Sequence, residues 1–333
     1  MIGSAGSGDP ISRIEITPPD AAAIRSLVDR LAAEIPDLDF EAHLERLAVA
    51  CHELPESLRT TLVNFRLLNQ PSGGLVLAGL PIDLGQVGPT PLTHTSESYT
   101  PEVNRSSALL LLIASLLGGP MSQAAVRNGK LILDICPLPG DENTQLASSS
   151  VGGLDYHNED AYSDYRPDWI LLLCLRNPDA APTTFARVRD LPLPEEVKAK
   201  LFEKRYIISP DSSHDNSADT RRVAVLSGDR RSPYVRVDPS FMPRSLGDED
   251  AEKALITILD AFDGNLQDVV LAPGEMLIID NLRSVHGRRP FKPRYDGGDR
   301  WLRTLTVAAD LRRSEGLRGG RHGRAMLPQT VFD

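Results

Sequence analysis

Two histidines and one glutamate could together bind a metal ion. His157 and Glu159 are separated by one residue, and His286 lies far downstream. In a β-strand, side chains two positions apart share a face, so His157 and Glu159 would point the same way while Asn158 points away. Two imidazoles and one carboxylate suit a ferrous ion that keeps open coordination positions. The same ligand set also occurs around catalytic zinc, so the identity of the metal stays open here.

A downstream arginine, Arg300, could complete such a site by binding an anion. His286 follows the apolar segment 275–279 and the turn residues Asp280 and Asn281, the position of a ligand at the mouth of a barrel strand. Arg300 opens the next apolar strand and should be buried with it. Because an unpaired buried charge is costly, this arginine requires an acidic partner. A dicarboxylate cosubstrate such as 2-oxoglutarate would supply one by bidentate pairing.

The composition is that of an acidic globular protein with an ample core. Of the 333 residues, 41% are hydrophobic and 25% charged, and the net charge is −10 with a pI near 5.3. The basic residues do not cluster, which argues against nucleic-acid binding and favours a small-molecule substrate. Cys51, Cys136 and Cys174 have neither disulfide nor zinc-site spacing. The longest apolar run is too short for a membrane helix and the N-terminus lacks signal-peptide features, so we expect a cytoplasmic protein.

Helical periodicity is concentrated in the first third of the chain. Apolar residues recur at helical spacing there, and a later segment is apolar nearly all round, which is typical of a buried helix. The predicted N-terminal helices cover residues 21–35, 40–54 and 58–68, the buried helix covers 106–117, and two more cover 195–202 and 248–262.

Short strands separated by turn residues dominate the remainder. They do not alternate with helices, which argues against a doubly wound sheet and favours a sandwich or jelly roll. We find no linker and therefore expect residues 1–333 to form one domain, with a helical layer over 1–70 packed on a core over 73–315. The predicted strands cover residues 73–80, 131–135, the segment holding His157, 169–175, 183–188, 205–208, 223–226, 234–237, 275–279 and 302–308.

Several motifs resemble the clavaminate synthase-like Fe(II)/2-oxoglutarate oxygenases. The similarity extends from about Gly73 onward and is greatest to the family's hydroxylases of free arginine and asparagine. It implies a mixed α/β chain with a mainly-β core, the double-stranded β-helix or jelly roll, and flanking helices at the N-terminus. The motifs are His157-Asn158-Glu159, His286-Gly287-Arg288, the segments 166–168 and 173–179, the run 293–302 and the closing segment 310–314.

The resemblance also implies roles for individual residues. His157, Glu159 and His286 match the Fe(II) ligands, and Arg300, fourteen positions after His286, matches the arginine that grips 2-oxoglutarate. Thr184 matches the threonine that contacts the distal carboxylate of this cosubstrate. No catalytic side chain beyond the metal ligands is implied, since the iron and its cosubstrates carry the chemistry.

Four further residues match the substrate-binding segments of the family: Asp211, Ser213, Asp238 and Ser240. The family's arginine hydroxylases use acidic residues from these segments, and paired carboxylates suit a guanidinium group. Asp211 and Asp238 match such acidic residues. Ser240, however, stands where the arginine enzymes carry a second aspartate.

Two other departures concern arginines. Arg127 replaces an amide residue that precedes the Asn128-Gly129 turn in the relatives. Arg303-Thr304 replaces a Lys-Arg pair, so the second arginine contact to the cosubstrate is absent or shifted. These differences leave a polar or cationic amino acid as the substrate class.

Together these features predict an Fe(II)- and 2-oxoglutarate-dependent hydroxylase that uses O2 to oxidise C3 of a free L-amino acid. Arginine or a related guanidino or basic amino acid is the first candidate substrate, within the biosynthesis of a non-ribosomal peptide antibiotic. Citrulline, lysine, asparagine, a cyclic arginine derivative such as enduracididine, and desaturation in place of hydroxylation are alternatives. A zinc metallohydrolase and a jelly-roll binding protein without turnover stay open as other classes. The sequence does not determine regiochemistry, stereochemistry or oligomeric state.

Overall fold

A layer of helices, drawn mostly from the first third of the chain, covers one side of the structure. This computed structural model describes residues 11–35, 40–68, 73–93, 99–210, 221–319 and 323–327. Within those ranges, every helix is too short or too polar to cross a lipid bilayer. The α-helices are α1 (Pro18–Glu34), α2 (Leu44–Ala50), α3 (Glu56–Leu68), α4 (Pro101–Leu117), α5 (Glu195–Leu201) and α6 (Glu249–Asp263).

Short β-strands make up most of the remaining regular secondary structure, as the sequence predicts. In the described part of the chain they are β1 (Ser12–Glu15), β2 (Gly74–Ala78), β3 (Gly119–Gln123), β4 (Ile132–Ile135), β5 (Leu154–His157), β6 (Trp169–Arg176), β7 (Thr183–Arg187), β8 (Leu226–Asp229), β9 (Ser232–Val235), β10 (Gln267–Val269), β11 (Met276–Asp280), β12 (Ser284–Arg288), β13 (Trp301–Ala308), β14 (Arg318–Gly319) and β15 (Ala325–Met326).

Two sheets and one hairpin are built from these strands. The larger sheet has the order β1-β2-β11-β6-β13-β3-β15-β14, and β4 also pairs with β13. The smaller sheet has the order β10-β7-β12-β5, and β8 pairs with β9 in a separate hairpin. Since sequential strands rarely neighbour one another here, both sheets are held by contacts between distant parts of the chain.

The central strand β6 is buried on both of its faces. Leu171 and Leu173 pack with the helical layer, whereas Ile170 and Leu172 belong to a second cluster that includes Phe185 of the smaller sheet. Successive strand residues point to opposite faces, so a strand between two apolar layers must be apolar throughout. This explains the continuous apolar run that marks the strand in the sequence.

Helix α4 connects the helical layer to the larger sheet. The hydroxyl of Thr100 accepts a hydrogen bond from the backbone N–H of Val103 and caps the helix start. The helix contacts α1, α2 and α3 on one side and β6 and β13 on the other, so it is apolar nearly all round, as predicted. The helix predicted over residues 40–54 is instead divided into a 3-10 turn, α2 and a second 3-10 turn.

Two predictions for strands differ from the structure. Residues 205–208 and 223–226 do not form a full pair, and only a single bridge joins Tyr206 to Val223. Strand β12, by contrast, was not predicted, although all of its residues are buried. Its sequence combines serine, histidine, glycine and arginine, so the usual apolar signal of a buried strand is missing.

A buried ion pair fastens the helical layer to the larger sheet. Asp134 on β4 accepts hydrogen bonds from Tyr99 Oη, from Trp301 Nε1 at 2.8 Å and from Arg303 Nε at 3.3 Å. Arg303 Nη1 also donates to the Val103 carbonyl oxygen at 2.7 Å and to two serine hydroxyls of α4. Arg303 therefore faces the helical layer. It does not provide the second arginine contact to the cosubstrate that the family carries at this point of the sequence.

We expect Asp134→Ala to lower the free energy of unfolding by about 3–5 kcal/mol, because it leaves the Arg303 guanidinium buried without its counter-charge. Urea unfolding followed by circular dichroism measures this change. Asp229→Ala, at an exposed position in the β8–β9 hairpin, is the control and should change the value by less than about 1 kcal/mol. Equal effects of the two substitutions would contradict the structural role of Asp134.

Candidate active site

The smaller sheet brings the two candidate histidine ligands together. Strand β12 pairs with β5 in antiparallel register, and His286 is the direct partner of His157. Their ring centroids are 4.6 Å apart with an interplanar angle of 47°. A side chain at Gly287 would meet the Leu154 carbonyl oxygen at 2.5 Å, so glycine at this position permits the close approach of the two strands. Residues 129 positions apart are thereby placed on one face.

Glu159 joins the two histidines from a turn. Strand β5 ends at His157, so Glu159 is not on the strand, contrary to the simple alternation argument. The Glu159 Oε2 atom lies 3.9 Å from His157 Nε2 and 3.8 Å from His286 Nε2. Ligand atoms of all three residues lie within 4.8 Å of one another. Among the described residues, these three form the group that could hold a metal ion.

Two buried asparagines hold this turn in place. Asn281 Oδ1 accepts a hydrogen bond from the Glu159 N–H at 2.8 Å, and Asn281 Nδ2 donates to the Glu159 carbonyl oxygen at 3.1 Å. Asn158 Nδ2 donates to the carbonyl oxygens of Asn281 and Ser284, at 2.7 and 2.9 Å. The sequence alone predicts only that Asn158 points away from the metal and that Asn281 belongs to a turn. Both amides in fact position the three candidate ligands.

The surroundings of the histidines favour a cation between them. His157 Nδ1 donates to the Asp155 carbonyl oxygen at 2.9 Å, which fixes the ring and leaves Nε2 directed at the cluster. Burial and the neighbouring His157 lower the pKa of His286 to about 3, so this ring is neutral. Its Nδ1 is buried and has no hydrogen-bond partner in the described structure. Two imidazoles and one carboxylate are a fitting donor set for Fe(II).

His157 has the opposite protonation tendency. Burial disfavours its charged form, but the Glu159 carboxylate, the charge of Asp238 and the Asp155 carbonyl outweigh burial and raise its pKa to about 9. Without a bound metal, His157 is therefore protonated at neutral pH, with the Glu159 carboxylate 3.9 Å from its Nε2. A metal ion must displace this proton, because only the neutral imidazole is a ligand.

A cavity of about 460 Å³ lies between the sheets and includes all three candidate ligands in its lining. Its inner part contains Arg300, which is 4% exposed. Arg300 Nη2 donates to Thr183 Oγ1 at 3.3 Å, its Nε has no partner, and no carboxylate of the described residues pairs with it. Burial lowers its pKa to about 10, so the group stays charged at neutral pH. A buried unpaired guanidinium is stabilised by an anionic ligand.

Arg288 increases the positive charge at this end of the cavity. Its Nη atoms donate to the carbonyl oxygens of Ser150 and Gly152 and to the Ser149 hydroxyl. Burial, followed by the charge of Arg300, lowers its pKa to about 10. Two buried arginines thus share one end of the cavity and fit one carboxylate of a dicarboxylate molecule.

The structure places Thr183, and not the predicted Thr184, on the cavity side of β7. Strand β7 alternates, so Thr183 faces the cavity beside Arg300 and Phe185 faces the core between the sheets. Thr184 is the register partner of Gly287 and lies on the opposite face. A shift of one position along a strand reverses the face, and sequence similarity alone did not resolve this shift.

The predicted substrate residues fall into two groups. Asp238 and Ser240 both line the cavity on the side of His157. Asp211 and Ser213 lie outside the described residues, so their predicted roles stay predictions.

Arg127 also lines the cavity, and its Nη1 donates to the Asp134 carbonyl oxygen at 3.1 Å. The acidic segment that follows Glu159 contributes Asp160, Ala161 and Tyr162 to the cavity wall.

The chain is similar to known oxygenases over most of its length. Residues 137–306 match the family described as taurine catabolism dioxygenase TauD, TfdA family. The enduracididine beta-hydroxylase of Streptomyces hygroscopicus is 36% identical over 321 residues, covering 89% of this chain and 94% of that protein. The L-ornithine/L-arginine 3-hydroxylase of Catenulispora acidiphila is 33% identical over 334 residues, covering 92% and 97%.

A solved oxygenase structure is similar to this chain in both sequence and fold. The non-haem iron oxygenase OrfP in complex with Fe and alpha-ketoglutaric acid is 37% identical, with a TM-score of 0.87, covering 94% of this chain and 99% of that chain. OrfP has also been crystallised with Fe, succinate and (3S)-hydroxy-L-Arg, at 35% identity and a TM-score of 0.87, covering 96% of this chain and 100% of that chain. The likeness therefore includes the fold as well as the sequence.

We expect metal affinity to rise with pH, because binding displaces a proton from His157. Below the His157 pKa of about 9, the affinity for Mn(II) should rise roughly tenfold per pH unit. Calorimetric titration between pH 6 and pH 9 measures the slope and the proton release. In Glu159→Gln, which lacks the charge that raises the His157 pKa, binding should be weaker and its slope shallower. An affinity for the original protein that is constant across this range would contradict the protonation state.

Proposed function

The chain belongs to the TauD, TfdA family of dioxygenases, and on that premise we propose that it hydroxylates C3 of free arginine or a related guanidino or basic amino acid. It is a non-haem iron, 2-oxoglutarate-dependent oxygenase that uses Fe(II), 2-oxoglutarate and O2. One observation carries the assignment: a two-histidine, one-carboxylate cluster and a buried arginine without a carboxylate partner share one cavity. We further propose that it acts in the biosynthesis of a specialised metabolite, which the likeness to the enduracididine beta-hydroxylase supports.

We assign the metal to His157, Glu159 and His286. When bound, the iron supplies the oxidative chemistry in which 2-oxoglutarate and O2 become succinate and CO2 while a C–H hydrogen of the substrate is replaced by hydroxyl. The chain itself orients the metal ligands and encloses the reacting molecules. The Asp155 carbonyl oxygen holds the His157 ring through Nδ1, and Asn281 holds the Glu159 backbone. Three protein ligands leave positions on the metal for the cosubstrate and O2.

We assign the distal carboxylate of 2-oxoglutarate to Arg300 and Thr183. Arg300 and Thr183 both line the cavity, Arg300 Nε has no partner among the described residues, and Arg288 adds a second positive charge there. A planar guanidinium matches a carboxylate by bidentate hydrogen bonds. The anion would supply the counter-charge that Arg300 lacks, which favours binding of the cosubstrate.

The basic end of the substrate is assigned to the acidic side of the cavity. Asp238 lies near enough to His157 to raise the pKa of that histidine, and it lines the same cavity. A carboxylate there suits a guanidinium or ammonium group. Asp211 and Ser213 are further candidates for binding the basic end of the substrate. We propose that this substrate is a free amino acid.

We also propose that the two sheets are the double-stranded β-helix of the family and that residues 1–333 form one domain. The helical layer over residues 1–70 and the core over 73–315 are supported as one unit by a single apolar cluster, which contains Leu31 and Leu58 of the helices and Leu171 and Ile278 of the sheet.

Arg300→Gln should weaken 2-oxoglutarate binding by about 2–4 kcal/mol, equivalent to roughly 30- to 1000-fold, because a charge-assisted bidentate pair is lost. Thr183→Val should weaken it by a smaller factor, about fivefold, through the loss of one hydroxyl. Thr184→Val is the matched control on the opposite face of β7 and should bind 2-oxoglutarate normally. Equilibrium binding to the metal-loaded protein measures all three, and a larger effect at Thr184 than at Thr183 would contradict the assignment.

His286→Ala should abolish arginine-dependent succinate formation, because it removes a metal ligand. His52→Ala, at an exposed and remote position, is the matched control and should retain full turnover. Iron-reconstituted protein is assayed for succinate, and the amino-acid product is examined by mass spectrometry and NMR for a hydroxyl on C3. Undiminished turnover in His286→Ala, or turnover that does not require 2-oxoglutarate, would exclude the proposed function.

A further inference from the structure

An aspartate that the sequence comparison did not single out lies at the substrate side of the cavity. Asp155 stands two positions before His157 on β5 and lines the same cavity. Tyr156, between them, points to the other face, where its hydroxyl donates to the Leu259 carbonyl oxygen at 3.0 Å. Strand alternation thus directs the Asp155 side chain toward the metal-bearing face.

Ser240 holds this carboxylate. Its hydroxyl donates to Asp155 Oδ2 at 2.7 Å, while Oδ1 accepts no hydrogen bond from the described residues. The segment that carries Ser240 is itself fastened to the end of β5, because Asn158 and Val237 exchange two backbone and side-chain hydrogen bonds of 2.9 Å. The contact between Asp155 and Ser240 therefore belongs to a fixed arrangement of two segments.

This arrangement brings Asp155 and Asp238 to the same wall. Asp238 and Ser240 lie on one segment, Asp155 lies on the strand fastened to it, and all three line the cavity. The same cavity is also lined by the buried guanidinium groups of Arg300 and Arg288. Cations and carboxylates therefore both line the cavity, and the carboxylates lie on the segments that carry His157 and Ser240. Two carboxylates on one wall favour a cationic group between them.

Ser240 occupies the position at which the arginine hydroxylases that this sequence resembles carry a second aspartate. We propose that Asp155, held by Ser240, supplies this missing carboxylate and, with Asp238, binds the cationic side chain of the substrate. The inference rests on the proposed function and specifies its substrate class as amino acids with a positively charged side chain. In this chain the carboxylate lies on β5 and not on the segment that carries Ser240. The Ser240 hydroxyl connects the two through its 2.7 Å hydrogen bond to Asp155 Oδ2.

The test compares arginine with citrulline, which has nearly the same shape but no side-chain charge. In Asp155→Asn, KM for arginine should rise about ten- to hundredfold, since a hydrogen bond to a charged group is weakened. KM for citrulline and KM for 2-oxoglutarate should stay within about twofold, because only the charge has been removed. A purely structural role would instead change all three values together. Asp229→Asn, at an exposed position, is the control and should change none of them.

A charge-relocation variant gives a second measurement. Asp155→Asn with Ser240→Asp returns a carboxylate to the other segment, within hydrogen-bond distance of the asparagine amide, and should restore KM for arginine to within about fivefold of the original value. Ser240→Ala, which retains the carboxylate but releases it, should raise this KM by about threefold. Because Ser240→Ala retains Asp155, it keeps the test valid if Asp155→Asn folds poorly, and an unchanged KM for arginine in a well-folded Ser240→Ala would contradict the role of the Asp155–Ser240 contact.

The outcomes separate the two levels of inference. If the original protein releases no succinate with any basic amino acid, the proposed function fails, and the role of Asp155 fails with it. If the original protein hydroxylates arginine but Asp155→Asn and the charge-relocation variant leave the preference for arginine over citrulline unchanged, only the role of Asp155 is overturned. A lost preference that the relocated carboxylate restores supports both.

Discussion

The candidate site depends on the hydrogen bonding of two buried asparagines. Asn158 and Asn281 lie where strands of different sheets end, and their amides satisfy backbone groups that have no sheet partner. Buried polar groups must be paired, so this arrangement permits little local adjustment. It holds Glu159 beyond the end of β5, opposite two histidines from paired strands. The three candidate ligands that a metal site needs are thereby brought to one point.

Charge is distributed unevenly around this centre, and the distribution separates the two molecules that must bind. Arg300 is buried and has no carboxylate partner among the described residues, which is costly unless an anion binds. Asp238 and Asp155 lie on the wall beside His157, where a cation is favoured. A dicarboxylate cosubstrate and a basic amino acid can therefore occupy the same cavity without exchanging places, because the buried arginines attract the anion and the aspartates attract the cation.

Much of the fold was predictable because its elements follow local rules. Strand β6 is recognisable from its continuous apolar run, and α4 from apolar residues on every side, since both are buried on all faces. Strand β12 was missed because a site strand carries polar residues that imitate a loop. Glu159 was expected to share a strand with His157, whereas it lies near both histidines from a turn beyond the strand. Local sequence patterns therefore fail to predict the structure mainly where functional polar residues take the place of apolar ones.

By itself the sequence determined which residue types could bind a metal, an anion and a cation, and the spacing of His286 and Arg300 connected them to one family. Only the tertiary structure decided that Thr183 faces the cavity while Thr184 does not, and that Ser240 meets Asp155. The physical reason is strand register. A shift of one residue reverses the face of a side chain, and register between distant strands is set by packing across the whole core, which no short segment of sequence contains.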